Sequence, residues 1–276
     1  MKKYFALLFV VVLWNCSSND DDQPVILPAQ TFSNVSYGPD SQQVIDIHLP
    51  EGRISGTTKT LLLLHGGAWY GGSKEDMAAA VALTRLQFPS YAIVNVEYRL
   101  ATAESPAYPK QINDLEAVIE HLETHPYGLS KQYAFIGVSA GAHLSMLYAY
   151  HFDPEHHVKA VCSIVGPTDF TDPAYAGSEL EHALFPFLVG ANPSQELVQE
   201  VSPASHIDAS DPPTIQFLGS EDPLVPTSQG IRLKAQLDLA GITNSMHVYQ
   251  AGHGNFSITD SQEIYAKIGN FLNANF

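Results

Sequence analysis

The alternation of apolar and polar positions sets out a series of strands and helices. Gln43 to Leu49 alternates with a period of two, as a half-buried strand does. Thr60 to Leu64 is an unbroken apolar run of the kind found in strands buried on both faces. Lys74 to Phe88 has helical character and follows Ser73, a residue suited to capping. Tyr91 to Tyr98 reads as a strand. Pro109 to His125 places Ile112, Leu115, Val118, Ile119 and Leu122 on one helical face. Strands follow at Tyr133–Val138, Val158–Val165, Thr214–Leu218 and Met246–Tyr249, with helices at Ser139–Tyr150, Thr227–Ala240 and Ser261–Asn273.

Strands separated by single helices indicate βαβ units. The expected fold class is therefore α/β, with a mostly parallel sheet and helices on both faces. The first strands have no helix between them and are expected to pair antiparallel at one edge. Residues 166–212 break the rhythm with Pro167, Pro173, Pro186, Pro193, Pro203 and Pro212 and a helix-like patch near Glu179 to Val189. This reads as a small insertion ahead of the Thr214 strand.

The N-terminal segment has a different pattern. Lys2 and Lys3 precede an apolar stretch from Tyr4 to Trp14, too short to cross a bilayer, which takes roughly 20 residues. It ends at Asn15, followed by Cys16, Ser17 and Ser18. Residues 1–15 are expected to be a signal peptide. Residues 16–33 are polar and contain proline, and are expected to form a flexible tether. The folded domain is expected over 34–276.

Composition narrows the function. Hydrophobic residues make up 45% of the chain, enough for a full core. With 29 acidic against 13 basic residues and a net charge of −16, nucleic acid is not an expected partner. The two cysteines, Cys16 and Cys162, are not expected to pair, and Cys162 lies in an apolar run as a small buried hydrophobe. No HExxH or Cys/His cluster suggests a metal.

Four loops that follow predicted strands carry candidate chemistry. Gly137-Val138-Ser139-Ala140-Gly141 lies between a strand and a helix, the setting of a strained turn that exposes a nucleophile. His65-Gly66-Gly67-Ala68-Trp69 offers backbone amides that glycine lets approach an oxyanion; the expected donors are Gly67, Ala68 and Ala140. Asp222 follows the Thr214–Leu218 strand in a loop bounded by Pro223 and Pro226, with Glu221 and, more distantly, Asp169 as rivals for the orienting acid. Of the 12 histidines, His253 between Gly252 and Gly254 is the expected base. His65 and His143 are read as structural, and Trp69 either lines the substrate pocket or packs. The order Ser139, Asp222, His253 suits acyl transfer by a serine triad.

These residues resemble a known group. His65–Trp69, Tyr98-Arg99-Leu100 and Gly137–Leu144 match the HGGxW, YRL and GxSAGAHL segments of α/β-hydrolase carboxylesterases of the BD-FAE type, which act on feruloyl or acetyl-xylan esters. The resemblance covers about residues 34–272 and departs at Ala101–Glu104, where relatives often carry Ala-Pro-Glu. It implies an eight-stranded sheet and a cofactor-free serine esterase acting on short-chain or carbohydrate-linked esters. Arylformamidase, lipase or peptidase chemistry on the same triad, or a non-catalytic surface binding protein, are the alternatives. The leader resembles a bacterial lipoprotein signal. That implies lipidation at Cys16, attachment to a membrane (an outer membrane or the cell surface), and export.

Overall fold

The computed structural model describes residues 27–276. The signal peptide expected at 1–15, Cys16 and the first part of the tether lie outside the described residues. Eight strands form one sheet: β1 (Gln30–Ser36), β2 (Val44–Leu49), β3 (Thr58–Leu64), β4 (Ala92–Val96), β5 (Leu129–Val138), β6 (Val158–Ile164), β7 (Thr214–Gly219) and β8 (Asn244–Tyr249). Their order across the sheet is β1-β2-β4-β3-β5-β6-β7-β8. β1 and β2 are antiparallel, β2 runs antiparallel to β4, and every other pairing is parallel. The antiparallel edge follows from the missing crossover helix, as expected.

The folded domain begins before its expected start at 34. Leu27 bridges to Arg53, and β1 starts at Gln30, so the domain takes in residues that the polar composition had assigned to linker. The physical reason is that β1 is an edge strand. Its residues are mostly exposed, and the pairing shifts register between Phe32 and Val35, so no clean alternation marks it.

The helices are α1 (Ala78–Gln87), α2 (Lys110–Thr124), α3 (Ala140–Leu147), α4 (Phe185–Val189), α5 (Gln195–Glu200), α6 (Ser228–Ala240) and α7 (Ile258–Asn275). Two apolar layers hold them to the sheet. Leu62, Leu64, Val94 and Phe135 pack with Ile112 and Leu115 of α2, Leu144 of α3 and Leu233 and Leu237 of α6. On the opposite face Leu61, Leu63, Ile93 and Ile136 pack with Val81 of α1 and Ile264, Ile268 and Leu272 of α7. The run Leu61–Leu64 is wholly buried because alternate leucines serve opposite layers. Each fully buried side chain of this size contributes roughly 1.5–3 kcal/mol.

The insertion between β6 and β7 contains α4, α5 and short turns. Its two ends meet. Ala204 N–H donates to the Thr168 carbonyl at 2.9 Å, and the Gln229 side chain of α6 accepts from the Thr168 and Asp169 amides. Gln229 is fully buried at this neck.

Candidate active site

In a parallel sheet the loops at the carboxyl ends of the strands open onto one crevice. Here the ends of β3 and β5 are in register, with Leu64 opposite Gly137, and Val138 lies opposite Ile164 of β6. The His65 loop and the Ser139 turn therefore emerge side by side. Gly141 permits the close contact: a Cβ on it would lie 2.3 Å from the His65 carbonyl oxygen.

Ser139 has φ 51° and ψ −116°, a conformation an L-residue adopts only when its surroundings impose it. Its N–H donates to the Ile164 carbonyl at 2.8 Å, which pins the turn to β6. Every residue of α3 is buried, so the helix behind the serine is fixed on all sides. The Ser139 Oγ lies 2.8 Å from His253 Nε2, and His253 Nδ1 lies 2.8 Å from Asp222 Oδ2. The other Asp222 oxygen accepts from the amides of Leu224 and Val225, and the carboxylate is fully buried. A proton on His253 Nδ1 satisfies Asp222 and leaves Nε2 to accept from the serine hydroxyl.

The rivals for the acid go elsewhere. Glu221 is exposed and accepts from Gln250. Asp169 is held by Arg232 at 2.6 Å and by Thr171. His65 stacks on Tyr98 with ring centroids 4.2 Å apart, its Nε2 faces Glu97 at 3.5 Å, and its carbonyl accepts from the Tyr98 hydroxyl. It supports the loop rather than reaching Ser139.

Two of the expected oxyanion donors, Gly67 and Ala68, line the same crevice. Gly67, Ala68 and Trp69 all have positive φ, at 121°, 49° and 68°. A Cβ on Gly67 would lie 1.9 Å from the Gly71 carbonyl oxygen, so no other residue fits. The amides of Gly67 and Ala68 make no hydrogen bond among the described residues. Ala140 N–H opens α3, where no intrahelical acceptor exists.

Trp69 is both packed, at 2% exposure, and at the wall of the cavity at Ser139. Its Nε1–H donates to His143 Nδ1 at 3.1 Å, and His143 Nε2–H donates to the Val201 carbonyl at 2.8 Å. Burial pushes the pKa of the His143 imidazole down to about 4, so it remains neutral and ties the His65–Trp69 loop, α3 and the insertion together.

The cavity measures about 510 Å³. Tyr70, Glu179, Leu180, Leu184 and Leu224 also line it, and the sequence carries no site signal for them. Nor does it carry one for the supports beneath the cavity. Gln111 donates to the Trp69 and Arg99 carbonyls, and Asp114, fully buried, binds the Arg99 guanidinium and Gln43. The helical period over 109–125 showed only the apolar face, and the polar residues Gln111 and Asp114 fall beside it. Cys162 is buried on β6, and burial raises its thiol. Among the described residues no group of acidic, histidine or cysteine side chains is arranged to hold a metal.

Comparison with known proteins shows what the chain is similar to. The chain is 26% identical over 249 residues to Esterase LipC of Mycobacterium tuberculosis (strain ATCC 25618 / H37Rv), a match covering 82% of this chain and 60% of that protein. It is 29% identical over 196 residues to the "Probable carboxylic ester hydrolase LipM" of the same organism, covering 65% of this chain and 45% of that protein. The chain thus spans about half to three fifths of the length of these curated relatives. Among solved structures, a truncated form of carbohydrate esterase from gut microbiota superposes with a TM-score of 0.66 at 21% identity, over 87% of this chain and 96% of that one. It has the same α/β-hydrolase fold. Residues 45–237 match the family model BD-FAE. This span runs from β2 into α6 and holds Ser139, Asp222 and the whole His65–Trp69 loop, and the chain belongs to the BD-FAE family.

Proposed function

We propose that the protein is a serine carboxylesterase that hydrolyses short-chain or carbohydrate-linked carboxylic esters. The observation that carries this reading is the unbroken series from Ser139 Oγ through His253 to Asp222, at 2.8 Å per step, in a crevice that Gly67 and Ala68 also line. His253 Nε2 takes the serine proton as Oγ attacks the ester carbonyl. Gly67, Ala68 and Ala140 amides then hold the tetrahedral oxyanion, each such donor being worth roughly 2.7–4 kcal/mol in related sites. The imidazolium, held by Asp222, returns the proton to the leaving alcohol, and water repeats the sequence on the acyl-enzyme. No cofactor enters these steps. The apolar walls, Val165, Leu180, Leu184 and Leu224, exclude water from the acyl group.

The test compares p-nitrophenyl esters from acetate to palmitate with acetyl and feruloyl release from xylan. Short esters and glycans should be cleaved, and Ser139→Ala should lose about 10⁴-fold or more. Ser139 should also take a fluorophosphonate label. Preference for palmitate would make the enzyme a lipase, and no labelling would remove the catalytic reading.

The leader supports a second element of the proposal. The protein is exported and held to a bacterial membrane by lipid on Cys16, a placement suited to ester substrates outside the cell. Metabolically supplied palmitate should label the protein, and Cys16→Ser should abolish both labelling and membrane retention.

A further inference from the structure

The rim of the sheet opposite Ser139 carries a surface that the crevice chemistry does not use. Two grooves meet there and share Glu51 and Tyr91. One, of about 520 Å³, runs between β2 and the end of α1, with Ala29, His48, Arg85, Leu86 and Pro89 in its lining. The other, of about 260 Å³, holds Arg53, Ile54 and Lys59 at the start of β3. β3 and β4 run parallel, so the grooves lie at their amino ends, whereas Ser139 lies at the carboxyl ends.

This rim is apolar and cationic on a molecule that is neither overall. Leu86 is 81% and Ile54 53% exposed. Helix α1 has no acidic residue and one charge, Arg85, and its solvent face presents Ala79, Ala82, Leu83 and Leu86. The grooves set Arg53, Lys59 and Arg85 against the one acidic side chain of Glu51, in a chain with 29 acidic and 13 basic residues. Arg53 is committed to backbone carbonyls and Gln30, and Lys59 to Phe276. Arg85 stands exposed beside His48. The chain also enters the domain across this rim: Leu27 bridges to Arg53, and Ala29 lines the larger groove. Cys16 can therefore stand at most about 45 Å from that groove.

We propose that this rim is a docking surface for an anionic lipid bilayer, with Leu86 and Ile54 entering the acyl boundary and Arg85 meeting the headgroup phosphates. The inference rests on the lipidation of Cys16 and adds which face of the domain meets the membrane. Lipid on a distant cysteine holds the domain near a bilayer but does not orient it; an apolar patch with a cation beside it supplies the second contact. A net charge of −16 sets the rest of the molecule against an anionic headgroup layer, which favours approach by this rim. Docked in this way, the Ser139 crevice points away from the membrane.

Vesicle flotation of the full chain carrying Cys16→Ser tests the rim without the lipid. Binding should require phosphatidylglycerol in the phosphatidylcholine vesicle and weaken with salt. Adding Arg85→Gln should weaken it about 5-fold and Leu86→Ser about 3- to 10-fold. The leader is common to all three proteins, so these ratios report the rim. Both side chains are exposed and opposite the crevice, so the melting temperature and p-nitrophenyl acetate hydrolysis should not change. In the lipidated chain on the same vesicles, hydrogen exchange should slow in peptides covering 52–59 and 82–91, relative to the Cys16→Ser chain in buffer, while peptides around Ser139 keep their rates. Equal binding to vesicles with and without phosphatidylglycerol, or binding indifferent to both substitutions, would overturn the docking surface. So would exchange at the rim that slows with protein concentration in the absence of vesicles, the mark of a second copy seated there. Variant-sensitive vesicle binding without palmitate on Cys16 would overturn the anchor and leave the rim standing; palmitate on Cys16 with unchanged exchange at the rim would do the reverse.

Discussion

Asp222 and Glu221 are neighbours in the chain but differ in every physical respect that matters. Asp222 is buried, anchored by two amides, and touches His253; Glu221 is exposed and touches Gln250. Asp222→Asn should cut kcat by about 10³- to 10⁴-fold, because it disturbs the imidazole tautomer while keeping the shape. Glu221→Gln should stay within about twofold of the parent. Steady-state kinetics on p-nitrophenyl acetate separates the two. His143 has a different consequence. Its folded pKa is about 4, below the ordinary 6.5, so the unfolded chain binds its proton first as the solution is acidified. The stability it confers is complete above 6.5 and is lost as pH falls towards 4, by about 3 kcal/mol in all. Asp211 works in the opposite sense: burial raises it to about 6, and its contribution is lost as pH rises from 3.8 through that value. Replacing His143 with Gln should therefore flatten the fall in melting temperature between pH 6.5 and 4 relative to the parent, leaving the Asp211 trend in place.

Among the elements, the start of the edge strand β1 is tied to the rest of the domain by Arg53. Arg53 is 5% exposed and donates to the carbonyls of Tyr127, Pro50 and Pro28 and to the Gln30 side chain, so it holds the approach to β1 against the rest of the domain. Arg53→Ala should cost about 1–3 kcal/mol in urea denaturation with little change in kcat, since Ser139 lies on a different part of the sheet. The same strand marks where the sequence stops being informative. Buried strands such as β3 announce themselves because both layers demand apolar side chains, whereas β1 is defined by backbone pairing and a register shift. The triad was legible for a related reason: a nucleophile turn, an oxyanion loop, an acid and a base each require particular residue types just after a strand. The cavity walls have no such requirement. Tyr70, Glu179 and Leu184 are brought to Ser139 by loop paths that no periodicity records, and Gln111 and Asp114 look like ordinary polar positions on α2 until the Trp69 carbonyl and Arg99 are seen against them.

At the scale of the whole molecule, a net charge of −16 sets which substrates approach freely. Neutral esters should show kcat/KM independent of ionic strength. An aryl acetate carrying a sulfonate should be turned over slowly at 10 mM salt and about two- to fivefold faster at 200 mM, as screening shortens the reach of the repulsion. Equal salt dependence for the two would mean that the charge lies away from the crevice.

The neck at Thr168, Ala204 and Gln229 brings the two ends of the insertion to one point. The segment between them is also held to the domain by His143 at Val201, by the Ala107 and Tyr108 amides at Phe187 and Leu188, and by Arg232 at Asp169, while Ser139, Asp222 and His253 all lie outside that span. Descendants of this gene can therefore vary the part of the segment that lines the crevice, at Glu179, Leu180 and Leu184, while the hold of Val201 on His143 keeps the support of Trp69 in place. Selection can act on taste and on chemistry as separate traits.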